Sequence, residues 1–133
     1  MIKPRRTNEN GQALVEFAIV LPLLLMILYG VIQFGIVFNN YIQVTSAARE
    51  GARKASVSRT LGSSAATTAA TDAAVAAAPG LDSSDMGVTV TASSAWAQGS
   101  DVTVQVTYPY AIDVLGAVVA SGSLTSTTTM RVE

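Results

Sequence analysis

The 133-residue chain has no histidine and no cysteine. The first absence removes the commonest general base and metal ligand, and the second removes a thiol nucleophile and any disulfide framework. A serine nucleophile would then need a lysine base, but both lysines, Lys3 and Lys54, lie close to the apolar segment described below. We therefore expect a protein that is not an enzyme and that has no cofactor and no metal site.

Basic residues are scarce in the second half of the chain. Seven of the eight lysines and arginines precede Thr60 and only Arg131 follows it, whereas five aspartates lie between Thr60 and Met130. Proteins that bind nucleic acid present a clustered positive face. This charge distribution argues against nucleic acid as a partner.

One long apolar run extends from Phe17 to Phe38, and Gln33 is its only strongly polar side chain. As a helix the run would measure about 33 Å, which matches a hydrocarbon core of roughly 30 Å. We predict one membrane-spanning helix, kinked at Pro22, where a backbone hydrogen bond is lost. A buried helix of a soluble core and a cleaved secretory signal are the alternatives. The run is long for a signal, however, and the rest of the chain offers little apolar surface to cover it.

Helical spacing of apolar residues continues beyond this run to about Val57. We therefore predict a single long helix over residues 12–58. Residues 17–38 would lie in the membrane, and residues 39–58 would emerge from it and cover a small α+β head domain of residues 59–133. Three basic residues flank each end of the span, so the positive-inside rule does not decide its orientation. The Thr- and Val-rich tail favours a cytoplasmic N-terminus and an extracytoplasmic C-terminus.

The head domain is predicted to begin with a short Ala-rich helix within residues 61–78. High alanine content favours a helix, and Ser63 or Ser64 can cap it. Only two large apolar residues, Leu61 and Val75, are available to anchor it. A flexible low-complexity linker is the alternative.

Beyond this helix the apolar period changes to two, which predicts a three-stranded antiparallel sheet with one buried face. The strands are expected near residues 88–92, 102–108 and 124–132, with Pro109 closing the second strand. The apolar stretch 112–120 is interpreted as a helical turn or a packed loop. Three strands need a cover on their apolar face, and the emerged half of the long helix can provide it.

The chain resembles the TadE-like family of pilin-like proteins in three segments: GQALVEFAIVLPLLL, then AAREGARKA, then a Thr- and Val-rich region ending in TMRVE. That family belongs to tight-adherence systems, which assemble Flp-type pili. The resemblance implies a minor pilin or pseudopilin in the cell membrane, or in a pilus at the cell surface. It also implies partners: membrane lipid, other pilin subunits, a prepilin peptidase and the tight-adherence assembly platform.

The same resemblance assigns roles to four residues. Gly11 is the last residue of a basic leader, residues 1–11, and Gln12 is the new N-terminus after cleavage, so these two form the processing site. Glu16 and Phe17 become the fifth and sixth mature residues and serve assembly. Gln12 departs from the Phe or Met with which type IV pilins usually begin.

Glu16 is unusual even apart from the resemblance, because a carboxylate at the edge of a membrane helix costs a few kcal/mol and usually has a purpose. Cleavage after Gly11 would free an amine four residues earlier on the same helix, and this amine, or that of a neighbouring subunit, could pair with the carboxylate. The alternative is an interfacial carboxylate that reaches the cytoplasmic headgroups.

Two further hypotheses concern the exported part. The segment AAREGARKA is interpreted as a solvated helix face on which Glu50 pairs best with Lys54 across one turn. The alternative is that its basic residues bind anionic lipid headgroups or an acidic residue of a neighbouring subunit. The alternative function is a membrane-tethered binding or adhesion domain, not processed by a prepilin peptidase, whose sheet contacts surfaces through Trp96, Tyr108 and Tyr110.

Overall fold

The computed structural model describes residues 9–94, 96–114 and 116–133. Within them lie two helices, one short 3-10 turn and three strands, and this confirms the predicted α+β class. The elements are α1 (Glu9–Val57), the 3-10 turn (Arg59–Leu61), α2 (Ser63–Ala76), β1 (Gly87–Ala92), β2 (Asp101–Val114) and β3 (Ala117–Arg131). Most of the predicted basic leader, including Lys3, Arg5 and Arg6, lies outside the described residues.

The three strands form one antiparallel sheet in the order β1-β2-β3. β1 pairs only with the first half of β2, ending where Gly87 lies opposite Thr107. β3 pairs with the whole of β2, from Asp101 opposite Arg131 to Val114 opposite Ala117. Beyond Thr107 the sheet therefore narrows to a two-stranded ribbon. We call residues 108–114 and 117–124 of this ribbon the hairpin arm.

The hairpin arm corrects two predictions. Pro109 does not close the second strand, since β2 continues for five more residues to Val114. A proline is tolerated there because this part of β2 has no β1 neighbour, and a strand with a free edge can lack a backbone N–H. In the apolar stretch 112–120, the described residues 112–114 and 117–120 form neither a helical turn nor a packed loop but paired strands of a β-hairpin, with a bulge between Ile112 and Asp113.

The core lies between one face of the sheet and the second half of α1. Val102, Val104 and Val106 are fully buried, and the residues between them point to the other face, as the alternation predicted. On α1 the buried positions recur with helical spacing; they are Val44, Ala47, Ala48, Gly51, Ala52, Ala55 and Ser56. This stripe provides the predicted cover for the sheet.

α2 forms as predicted, but its cap and its anchor differ from the prediction. Its N-cap residue is Gly62, and no side-chain hydrogen bond from Ser63 or Ser64 caps it. Leu61 is exposed and Val75 is only half-buried, whereas a stripe of alanines four residues apart is fully buried: Ala66, Ala70 and Ala74. Small side chains anchor α2 because they let its backbone approach α1 closely.

α1, α2 and β2 approach one another closely at Gly51. A Cβ atom added there would lie 3.1 Å from the Ala74 Cβ and 3.2 Å from the Val104 Cγ1. Both separations are at the short limit of van der Waals contact. The glycine therefore sets the distance between three elements of the core.

Candidate membrane and assembly segment

The predicted processing and assembly residues occupy the first turns of α1. Among the described residues the helix already includes Glu9, so the Gly11–Gln12 peptide bond lies within it. Gln12 and Glu16 are exposed, and the Gln12 Nε2 donates a hydrogen bond of 3.2 Å to the Glu16 Oε1. Residues four apart are neighbours on a helix surface. The structure thus brings residues 12 and 16 together, the pair that the sequence interpretation links.

Phe17 belongs to a continuous apolar surface that the fold leaves uncovered. Its side chain is 58% exposed, Ile19 is 72% exposed, and the exposed apolar side chains continue along α1 to Ile42. Soluble monomers rarely expose an apolar patch of this extent. Among the described residues, one helix is long and apolar enough to cross a membrane, and it is α1. Lipid or protein has to cover this surface.

Three polar side chains join the apolar half of α1 to the hairpin arm. The Tyr29 hydroxyl donates to the Asp113 Oδ1 at 3.0 Å, and the Gln33 Nε2 donates to the same oxygen at 2.8 Å and to the Tyr29 hydroxyl at 2.7 Å. We call Tyr29, Gln33 and Asp113 the polar clasp. All three side chains are half-buried. The clasp fixes the far end of the arm against α1, about 80 residues away along the chain.

Sequence reasoning missed the clasp, although a signal for it was present. Gln33 is the only strongly polar side chain between Phe17 and Phe38, and Asp113 is the only charge between Ala111 and Ala120. Polar groups buried among apolar ones are usually hydrogen-bonded, and each of these two has few local candidates. Pairing two such isolated polar residues across the chain would have predicted the contact.

Next to the polar clasp, Val114 and α1 border an apolar groove of about 430 Å³. Its lining residues are Pro22, Leu25, Met26, Leu28, Tyr29, Ile32 and Val114. The end of the arm therefore lies level with the middle of the apolar run of α1.

The family model described as "TadE-like protein" matches residues 11–53. Residues 11–53 of this chain are thus TadE-like. Over these residues, the match confirms the resemblance seen in the sequence. Comparison with curated proteins and with solved structures finds no match.

The TadE-like segment contains the predicted processing residues, the apolar surface and most of the stripe that packs on the sheet. It begins at Gly11 and ends at Arg53, four residues before α1 itself ends. Of the polar clasp it includes Tyr29 and Gln33. Asp113 belongs to β2, outside the matched region.

Near the end of the TadE-like segment, Glu50 pairs with a different cation from the one predicted. The Arg53 Nε donates to the Glu50 Oε2 at 3.0 Å, and a second guanidinium N–H donates to the Glu50 Oε1. These hydrogen bonds lower the pKa of the Glu50 carboxyl. The predicted Lys54 partner is wrong because the forked guanidinium reaches both carboxylate oxygens across three residues. Glu50 and Arg53 are both solvent-accessible, which suits a solvated face.

The aromatic residues of the adhesion hypothesis do not share one exposed surface. Trp96 is 5% exposed and belongs to the core. The Tyr108 hydroxyl accepts a long hydrogen bond from the Asp82 backbone N–H, and the Tyr110 ring covers the backbone of Gly122 on the facing strand.

Within residues 9–94, 96–114 and 116–133, no group of three or more carboxylates could hold a metal ion.

Proposed function

We propose that this protein is a minor pilin or pseudopilin of a Flp-type tight-adherence system, a membrane-anchored structural subunit rather than an enzyme. One observation carries the proposal: the TadE-like region coincides with an apolar helix of membrane-spanning length. Its partners would be membrane lipid, other pilin subunits, a prepilin peptidase and the assembly platform of the pilus.

The proposed maturation step is cleavage between Gly11 and Gln12. The scissile bond lies within α1, so the helix has to open locally for a peptidase. Cleavage gives Gln12 an α-amine one turn from the Glu16 carboxylate. The contact between the Gln12 and Glu16 side chains supports this pairing, because it shows that the two positions face the same side of α1.

The proposed topology places the N-terminus in the cytoplasm and the sheet outside it. The charges that flank the apolar run are balanced, so the proposal depends on the Thr-rich sheet that packs on the far half of α1. An enzyme reporter that is active only outside the cytoplasm, fused after Glu133, should be active. Activity confined to a cytoplasmic reporter at the same position would reverse the topology.

N-terminal sequencing of protein extracted from membranes tests the processing step. In cells that carry the tight-adherence machinery, the native chain should begin at Gln12. Gly11→Leu should retain Met1, because a peptidase that recognises a small residue before the cut is blocked by a bulky one. Gly30→Leu is the matched control: an added Cβ there meets nothing within 4 Å, and this variant should still begin at Gln12.

A native chain that begins at Met1 would overturn the processing step. It would favour a membrane-tethered binding domain that no prepilin peptidase cuts.

A further inference from the structure

The end of the hairpin arm raises the question of how deeply α1 lies in the membrane. We call residues 112–114 and 116–120 the arm tip. Through Asp113 the arm tip is bonded to Tyr29 and Gln33, and through Val114 it borders the groove that reaches Pro22. The arm thus runs beside residues that the apolar run alone would place inside the bilayer.

The backbone of the arm excludes deep insertion. If residues 17–38 filled the hydrocarbon core, Leu28 would lie about 15 Å below its exported surface, and the arm tip with it. β2 has no β1 partner beyond Thr107, and β3 pairs with β2 alone, so neither edge of the arm has a further strand to pair its outward N–H and C=O groups. Open strand edges do not occur in hydrocarbon because these groups find no partner there.

The side chains of the arm tip nevertheless favour contact with lipid. Val118 is 64% exposed and Val119 is 62% exposed, beside the exposed apolar surface of α1. Asp113 is the only charged residue of the whole arm, and the polar clasp satisfies it. The headgroup layer suits such a tip, because it accepts apolar side chains on one side and hydrates backbone groups on the other. Tyr29 lies at the same level, and tyrosine is enriched at membrane interfaces.

We propose that the arm tip lies in the interfacial layer of the exported leaflet, where it ends the lipid-embedded part of α1 near Leu28. The embedded part would then extend from about Gln12 to Leu28, about 25 Å as a helix, which is at the short end of the range for a membrane span. It would take in Glu16, about 6 Å inside the cytoplasmic end of this span, where the Gln12 α-amine is its proposed partner. The arm tip thereby limits how deeply α1 enters the membrane, and the molecules that contact the tip are phospholipids. This inference rests on the membrane anchoring proposed above.

The absence of cysteine makes the test direct, since one introduced cysteine gives a unique label. We would label Val118→Cys in the arm tip, Thr127→Cys on β3 outside the arm, and Leu24→Cys on α1 with an environment-sensitive fluorophore. All three side chains are exposed. The full chain would be reconstituted in phosphatidylcholine vesicles that carry a nitroxide quencher either near the headgroup or deep on the acyl chain.

The proposal predicts severalfold stronger quenching at Val118 by the shallow nitroxide than by the deep one. Leu24 should be quenched best by the deep nitroxide, and Thr127 by neither. Quenching at Val118 equal to that at Thr127 would overturn the lipid contact, and stronger quenching by the deep nitroxide would overturn the interfacial position. A Val118 label that is shielded from an aqueous quencher but is quenched by neither nitroxide lipid would also overturn the proposal. It would indicate that a second copy of the chain covers the arm tip.

The Leu24 label separates this inference from the proposed function. If Leu24 is quenched by lipid and Val118 is not, the membrane anchor stands and the arm-tip proposal fails. If Leu24 is not quenched either, the membrane anchor itself fails, and the arm-tip proposal fails with it.

Discussion

The Gln33 side-chain amide donates a hydrogen bond of 2.8 Å to the Asp113 carboxylate, across 80 residues of chain. Gln33 lies in the apolar half of α1, and Asp113 lies near the end of the hairpin arm. Hydrogen bonds to a charged group contribute about 1.5–3 kcal/mol each. The contact ties the position of the arm to α1, at a place where the arm has no β1 strand beside it.

Asp113→Ala should release the arm without unfolding the core. The variant loses an acceptor that two side chains share, so backbone amides of residues 108–114 and 117–124 should exchange roughly 10 to 100 times faster with solvent deuterium. Amides of residues 101–106 should keep their native rates, because β1 and β3 flank them on both sides. Asp113→Asn, which keeps an acceptor oxygen, should lose less protection.

The control for this experiment is Asp72→Ala, because Asp72 is exposed on α2 and lies outside the arm. It should leave exchange in the arm unchanged. Native exchange rates in the arm of Asp113→Ala would show that the clasp does not hold it.

Gly51→Leu should destabilise the packing of α1 on α2 and β2. Even a Cβ at this position is 3.1–3.2 Å from its neighbours, so the remaining leucine atoms have no space. Overpacking of a core typically costs about 1–3 kcal/mol, and the close backbone contact with the Ala70 carbonyl puts this site at the upper end. Limited proteolysis in detergent measures the loss as faster cleavage of residues 59–133.

Gly35→Leu is the matched control, since an added Cβ there meets nothing within 4 Å. Equal proteolysis rates for the Gly51→Leu and Gly35→Leu variants would contradict the assigned helix–helix–sheet contact.

Neighbouring residues of β2 should respond in opposite ways to the same change. Val104→Asp places a carboxylate at a fully buried position and should destabilise the head by several kcal/mol. Thr103→Asp should be tolerated, because this side chain points to the opposite face and loses only an exposed hydrogen bond to Thr129. Proteolytic susceptibility compares the two, and similar values would mean that the buried face of β2 is misassigned.

The features that sequence alone could predict are those with a local period. The end of α1 at Val57 follows from helical spacing, and the buried face of β2 follows from alternation at Val102, Val104 and Val106. The anchor of α2 was missed because alanine carries little apolar signal. Its packing role depends on Gly51 of another helix, which the local sequence does not reveal.

The hairpin arm was missed for a different reason. Pro109 usually ends a strand, and its tolerance depends on where β1 stops pairing, which is a property of the assembled sheet. A short apolar stretch such as 112–120 has no period that separates strand from helix. The roles of Gly11, Gln12, Glu16 and Phe17 come from the family resemblance, which the contiguous sequence GQALVEF carries, and they stay predictions.

Assembly of a Glu16→Val variant tests the pilin-like account most directly. Native protein, Glu16→Val and the control Glu50→Val would be compared by N-terminal sequencing and by recovery in a sheared-pilus or assembly-complex fraction. All three chains should insert and begin at Gln12, because Glu16 is expected to act after cleavage. Loss of a charged pair of about 1.5–3 kcal/mol should lower the recovery of Glu16→Val roughly 10- to 100-fold, while Glu50→Val, which loses only an exposed ion pair, stays near native. A native chain that begins at Met1, together with native recovery of Glu16→Val, would contradict the account.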